Sequence, residues 1–356
     1  MDEGKSDSSN KSVIRRFYTL FDYNDSINTE ELVDNVEEEE SYSLTVLCTD
    51  VPASLEIELR KLLSQKLSKS AVYFGAGSVT QFEVSEEEKT ETWSCYYCML
   101  KDKEIREDGG NVKYIVCFLA PEAEMLEIFT QDLDVYCKKL SEEIRNKTDV
   151  PTAAKKFLEK WHETILDFLC RCVQLLQQDV KFLLYCALID GCLQADGGKE
   201  SVCSDLKRFV KLCNMSNMFG DESTGSMDML VDISSASIPQ KSVNVTFSND
   251  QPMFDNIKCS KFCEHWSKAI NFVDNNSPGE IRQAVEAFKV KYIHSINTMK
   301  RLLMEAQTDY YAYYRAYQFI INSGNSEILL SYAHLDEIAE VKDVFTDLKN
   351  YLLHIT

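Results

Sequence analysis

Strand-like and helix-like patterns of apolar positions divide this chain into two parts. Between Ser70 and Pro121 three strand-like runs follow one another with short breaks: Ala71–Val84, Thr92–Lys101 and Val112–Ala120. They are rich in Val, Ile, Tyr, Phe and Trp, which suit a pleated, half-buried surface. Two further strands are predicted ahead of them, at Ile14–Tyr23 and Tyr42–Asp50. Pro52 opens a helix that runs to about Leu67, because the fixed φ of proline suits a first helical turn. Its Leu55, Leu59, Leu62, Leu63 and Leu67 fall on one face, a stripe for packing on a sheet. Gly75-Ala76-Gly77 interrupts the first central strand and predicts a bulge or tight bend. A phosphate-cradling loop would need further glycines or a GK[ST] opening a helix. Pro121 starts a second helix, about Glu122–Leu140, with acidic residues at its start and Lys138 and Lys139 at its end.

From about Pro151 the apolar period becomes helical. Phe157, Trp161, Ile165, Phe168, Leu169, Cys172, Val173, Leu176, Val180, Leu183, Leu184 and Leu188 repeat at that spacing through about Leu193. Either this stretch is central to a bundle or it breaks near Gln177–Asp179, and Gly197-Gly198 ends it. A shorter helix, about Ser201–Asn214, follows. Met215 to about Phe254 is poor in pattern and reads as a long flexible loop with one short strand at Ser242–Phe247. Further helices are predicted at about Asn256–Phe272, Pro278–Ala306, Asp309–Asn322 and Asp336–Leu353. Ser277, Pro278 and Glu280 make a capping box with a proline at the first helical position. The fold class is therefore α+β. Residues 1–12 are expected to be disordered. An N-terminal mixed sheet flanked by helices occupies 13–147, and a mainly helical region occupies 148–356.

Charge narrows the class of partner. The 38 Lys and Arg stand against 58 Asp and Glu, a net charge of −20. Such a surface repels phosphate backbones and anionic membranes, so nucleic acid is not an expected partner. Glu30, Glu31, Asp34 and Glu37–Glu40 form an acidic linker, read as an extended solvated loop, with docking onto a basic partner as the alternative. The 13 cysteines are odd in number, scattered and mostly flanked by apolar residues. They read as reduced, buried thiols of a cytosolic protein rather than a disulfide framework. The N-terminus is polar and acidic and predicts no signal peptide. The longest apolar run, Phe182–Leu193, is interrupted by Asp190 and is short of the ~20 residues a membrane span needs.

No pattern of catalytic residues stands out. Cys95-x-x-Cys98 lies inside a strand, where residues three apart point to opposite faces, rather than at a helix N-terminus. Neither a second pair nor histidines at zinc-ligand spacing follow it. Cys259-x3-Cys263-x-His265 puts two cysteines on one helix face and the histidine on another. His162, His294, His334 and His354 are isolated, and GxSxG, HExxH and Walker motifs are missing. No cofactor and no metal is expected. Tyr310, Tyr313, Tyr314 and Tyr317 cover one helix face at i, i+3, i+4 and i+7, a candidate partner-binding surface. Amphipathic packing of that face, with the hydroxyls reaching solvent, is the plainer alternative. Met215, Met218, Met227 and Met229 could give the long loop an adaptable docking character, although a mobile linker is the plainer reading.

The order strand, strand, helix, strand, strand, strand, helix resembles that of the longin and roadblock folds, which are frequent in trafficking complexes and small-GTPase regulators. A more specific resemblance rests on several stretches taken together. These are SLTVLCTDVPASLEIELRKLLSQKLSKSAVYFGAGSV, the CYYC strand with Met99-Leu100, YIVCFLA, Lys261-Phe262-Cys263-Glu264-His265-Trp266, and Ile328-Leu329-Leu330. In this order and spacing they resemble the Njmu-R family of vertebrate proteins, from about residue 14 onward. The resemblance implies a non-enzymatic scaffold subunit of a complex with a WD-repeat β-propeller protein and a third large subunit at the trans-Golgi network. Through a bridging TBC-domain protein, that complex helps golgins capture endosome-derived vesicles coated with the adaptor AP-one. A link to spermatogenesis is also implied. The longin-like order alone suggests a second role, regulation of a small GTPase as an exchange-factor component.

Overall fold

The computed structural model describes residues 15–24, 42–86, 89–105, 111–145, 147–215, 242–254 and 259–333. The N-terminal segment, the acidic linker, residues 106–110, most of the long loop and the last helix expected from the sequence lie outside the described residues. The chain divides into two compact units, Met1–Leu166 and Asp167–Thr356.

The first unit is built on a five-stranded sheet. Its strands are β1 (Phe17–Asn24), β2 (Ser43–Thr49), β3 (Ser78–Glu86), β4 (Lys89–Ile105) and β5 (Asn111–Pro121), in the spatial order β2-β1-β5-β4-β3. Every ladder is antiparallel. The parallel element is a single bridge, Phe74 to Met99. Helix α1 (Ala53–Ser68) covers one face: Leu55, Leu59 and Leu63 are buried there with Cys95, Tyr97, Met99, Ile115, Cys117 and Leu119. Each such leucine contributes roughly 1.5–3 kcal/mol relative to exposure. Helix α2 (Thr130–Ile144) packs on β4 from the other face. There the Phe118 ring lies 5.8 Å from Tyr96, 5.9 Å from Tyr136 and 4.9 Å from Trp161.

Two sequence expectations move in this unit. The strand expected from Ala71 starts at Ser78. Residues 71–77 instead form an irregular approach, in which Gly75 N donates to Met99 O at 3.1 Å and Met99 N donates to Tyr73 O at 3.0 Å. Gly75 turns the chain at φ +70°, and a Cβ on Gly77 would fall 2.1 Å from the Tyr96 ring. The helix expected from Glu122 starts only at Thr130. Residues 122–129 make two short 3-10 turns broken at Met125, whose φ is +52°. The turns bury Leu126 and Phe129 and aim Glu124 at Arg16, 2.9 Å away and almost as buried. That tertiary pair lies beyond the reach of a local pattern. Helix α3 (Val150–Leu158) packs on α2 and β2, and Tyr136 Oη donates to Phe157 O at 2.6 Å. It therefore belongs to the sheet unit rather than to the helical region.

The long apolar pattern that leads into the second unit is not one helix. A π-turn at Glu163–Asp167 leads into α4 (Phe168–Leu176), a 3-10 turn at Gln177–Asp179 breaks it, and α5 (Val180–Leu188) follows. Gln177 sits at φ +49°, so the break falls where one of the two sequence alternatives put it. The helix stops at Leu188, before Leu193. Cys192–Asp196 is a strand, β6, with Leu193 buried and Cys192 and Gln194 exposed. Short apolar runs read equally well as helix or strand, which explains the difference. Strand β6 pairs parallel with β7 (Ser242–Ser248), which continues through a two-residue turn into β8 (Gln251–Phe254). Asn249 and Asp250 both take positive φ, as a hairpin of that length requires. Helices α6 (Glu200–Cys213), α7 (Lys261–Phe272), α8 (Pro278–Ala306), α9 (Tyr310–Asn322) and α10 (Ser326–Ala333) complete the unit among the described residues. Helix α7 begins five residues later than expected because Ser260 caps it, its Oγ accepting from Cys263 N at 3.2 Å. The Ser277 cap is formed, Oγ accepting from Glu280 N at 3.4 Å, but the Glu280 carboxylate reaches Asp274 N instead of closing the box. No described helix is long and apolar enough to cross a membrane.

Candidate partner-binding surface

The tyrosine helix α9 follows α8 after a turn at residues 307–309, where Asp309 caps it by accepting from Tyr311 N at 2.9 Å. Its buried positions are Ala312, Ala316 and Ile320, spaced four apart along one stripe. Two alanines bring α9 close to α8, and the tyrosines are left to the flanks and the outer face. Tyr310 is 87% exposed and Tyr314 53%. Tyr313 and Tyr317 are half-buried. The Tyr310 and Tyr313 rings stack at 6.2 Å and 16°. Tyr311, which falls off the face read from the sequence, is exposed as well, with the Arg315 guanidinium 5.6 Å from its ring centre. Arg315 Nη2 in turn donates to Glu305 Oε2 of α8 at 2.7 Å. The Tyr311–Arg315 spacing of four could have been found in the sequence; the Glu305 partner across the turn could not. The arrangement offers broad aromatic area and hydroxyls on a fixed helix, suited to binding rather than to bond chemistry.

The cysteines singled out by spacing are placed as the strand pleat requires. Cys95 lies in the cluster under α1. Cys98 points to the α2 face, where the Cys137 thiol hydrogen-bonds it and holds it below the usual thiol range, while burial pushes Cys137 well above it. Beside them Tyr96 Oη and Gly77 N both donate to Asp134 Oδ1 at 2.7 Å. Burial pushes the Tyr96 phenol far above its usual value. Cys263 is buried while His265 is exposed, edge-on to Trp266 at 6.1 Å, so the two do not converge. Among the described residues no group of three or more His, Cys, Asp or Glu is arranged to hold a metal ion. A cleft of about 420 Å³ between α4 and α6 is lined by Gln174, Leu175, Ser201 and Val202 and by the Arg171–Asp205 ion pair, closed at 2.8 Å. Of Met215, Met218, Met227 and Met229, Met215 is buried and the other three lie outside the described residues.

Comparison with known proteins adds what the geometry does not. The model of the Njmu-R1-like protein family matches residues 18–354. The chain belongs to the Njmu-R1-like family. It is 28% identical over 324 residues to the mouse protein Njmu-R1, a match covering 88% of this chain and 81% of the mouse protein. The stretches that carry the Njmu-R resemblance fall on β2, α1 and the approach to β3, on β4 and β5, at the start of α7 and within α10. Residues 95–98 and 114–120 of those stretches are buried throughout. The tyrosine face of α9 lies outside all of them. The family match itself runs through residues 18–354 and so includes the tyrosine helix.

Proposed function

We propose that this chain is a cytoplasmic scaffold subunit, without catalytic activity of its own, of a complex that sits peripherally at the trans-Golgi network. It joins a WD-repeat propeller subunit and a third large subunit. Through a TBC-domain bridge the complex helps golgins capture endosome-derived AP-one vesicles. The observation that carries this reading is the family match over nearly the whole chain. The exposed Tyr310, Tyr311 and Tyr314 support a protein-binding role, because tyrosine combines a large apolar body with a polar tip. The net charge of −20 favours a basic partner surface and disfavours nucleic acid. The test is co-precipitation of the tagged full chain from cells with the propeller subunit. Recovery of that subunit supports the reading, and its absence under conditions that preserve the rest of the complex rejects it.

A second reading, regulation of a small GTPase, is favoured by the element order β1-β2-α1-β3-β4-β5-α2 of the first unit. A nucleotide-release assay with the assembled complex separates the two: accelerated release supports regulation, and an unchanged rate leaves the scaffold.

A further inference from the structure

Cys259 and Cys263 form a pair that neither the scaffold reading nor the family match uses. Cys259 immediately precedes Ser260, the cap of α7, and Cys263 stands one turn inside the helix. Because Ser260 Oγ accepts from Cys263 N at 3.2 Å, the cap fixes Cys263 above Cys259. Each thiol acts on the protonation of the other. Cys259 is partly exposed and Cys263 is fully buried. The Cys259 thiol also meets Lys181 O at 3.7 Å and Ser260 O at 3.6 Å. A partly exposed sulfur one helical turn from a sheltered one has the layout of an attacking and a resolving cysteine.

We propose that Cys259 and Cys263 are a peroxide-oxidisable dithiol that closes to a disulfide at the start of α7. The Cys259 thiolate attacks one oxygen of a hydroperoxide. An S–O bond forms, the O–O bond breaks, and the departing hydroxide or alkoxide takes up a proton. The Cys263 sulfur then attacks the Cys259 sulfenic acid. The S–S bond forms, the S–O bond breaks, and water leaves with the Cys263 proton. Two thiols lose two electrons and two protons, and hydrogen peroxide becomes two waters. Electrostatics agree with this order of events. The Cys263 thiol lowers the Cys259 pKa most, with Lys181 adding to it, and burial raises that of Cys263. A thiolate at a helix N-terminus is further favoured by the backbone dipole. The bond would form where α7 meets the turn after α9: Phe262 N donates to Gly324 O at 3.2 Å.

The test is peptide mapping of the reduced full chain after limiting hydrogen peroxide and a thiol-blocking quench. Cys192, which is exposed, and Cys203, which is partly exposed, serve as internal controls. The expected result is a Cys259–Cys263 disulfide formed on the order of tenfold faster than oxidation of either control. In Cys263→Ser the sulfenic acid has no resolving partner, so Cys259 is trapped by dimedone. If that variant does not fold, the wild-type map decides by itself. Recovery of Cys259 as a free thiol while Cys192 is oxidised, or its linkage to any other cysteine, overturns the proposal.

Discussion

The outward placement of the tyrosines on α9 rests on the alanine seam, and that seam makes a quantitative prediction. Ala316 is fully buried, and α9 packs on α8. Replacing it with leucine adds three carbons where two helices are in close contact. Overpacking of this kind costs about 1–3 kcal/mol. For a unit of this size each kcal/mol lowers the melting temperature by roughly 2–4 °C. Tyr310 offers the opposite case. At 87% exposed it takes only a small part of its ring out of water. That part is roughly 30 Å², worth about 0.7 kcal/mol. The better helix propensity of alanine returns about 0.5 kcal/mol. Tyr310→Ala is therefore expected to be close to neutral in thermal and urea unfolding, while Ala316→Leu is clearly destabilised. If Tyr310→Ala costs more than Ala316→Leu, the tyrosines are the core face and the surface described above does not exist. The same pair separates folding from binding. Tyr310→Ala combined with Tyr314→Ala should weaken capture of the propeller subunit with little change in melting temperature.

Glu124→Gln takes the carboxylate charge away from the buried Arg16 guanidinium, the two side chains being 11% and 6% exposed, and should cost about 1.5–3 kcal/mol in urea unfolding. A loss below 1 kcal/mol would mean that water reaches the pair. Gly77→Ala puts a methyl 2.1 Å from the Tyr96 ring and must disturb the Tyr96–Asp134 hydrogen bond. It should destabilise by at least about 2 kcal/mol, and wild-type stability would show that the ring moves freely. Alkaline pH should weaken the fold, because burial raises the Cys213 thiol from 9.0 to about 12. The folded state keeps that proton while the unfolded chain releases it. The contribution is thus fully present below about pH 9 and falls as pH rises toward 12, by up to roughly 1.4 kcal/mol per pH unit. Melting temperatures across that range check it, and a flat profile to pH 11 would refute it.

Much of the first unit could be read along the chain because its strands differ in composition from everything around them. The aromatic and β-branched runs at Thr92–Lys101 and Val112–Ala120 lie within β4 and β5, and the leucine stripe of Leu55, Leu59 and Leu63 packs where its period put it. What local pattern could not supply was anything set by a distant partner. Met125 adopts a left-handed conformation in turns that bring Glu124 to Arg16, more than a hundred residues earlier in the chain. Cys192–Asp196 continues an apolar helix in sequence but pairs with Ser242–Ser248, on the far side of the long loop. At the candidate surface the tyrosine spacing was visible, but the weight of Ala312 and Ala316 was not. Tyrosine dominates any reading of that helix by hydrophobicity, whereas close approach of two helices is decided by the smallest side chains.

The same contrast separates the buried core strands from the candidate tyrosine surface. The segments that tie this chain to the Njmu-R1-like family include Cys95, Tyr96, Tyr97 and Cys98, all at or below 4% exposure. Buried residues are constrained by every neighbour at once, so a change there is felt as a cavity or a clash. An exposed tyrosine has few neighbours within its own chain and costs little to lose, so the fold does not hold it in place. Tyr310, Tyr311 and Tyr314 are exposed on a helix whose buried stripe and cap are complete without their rings. Folding gives no return for that exposure, whereas a partner that covers the rings would gain from each of them. Under the proposed scaffold role, that gain would come from a partner outside the chain.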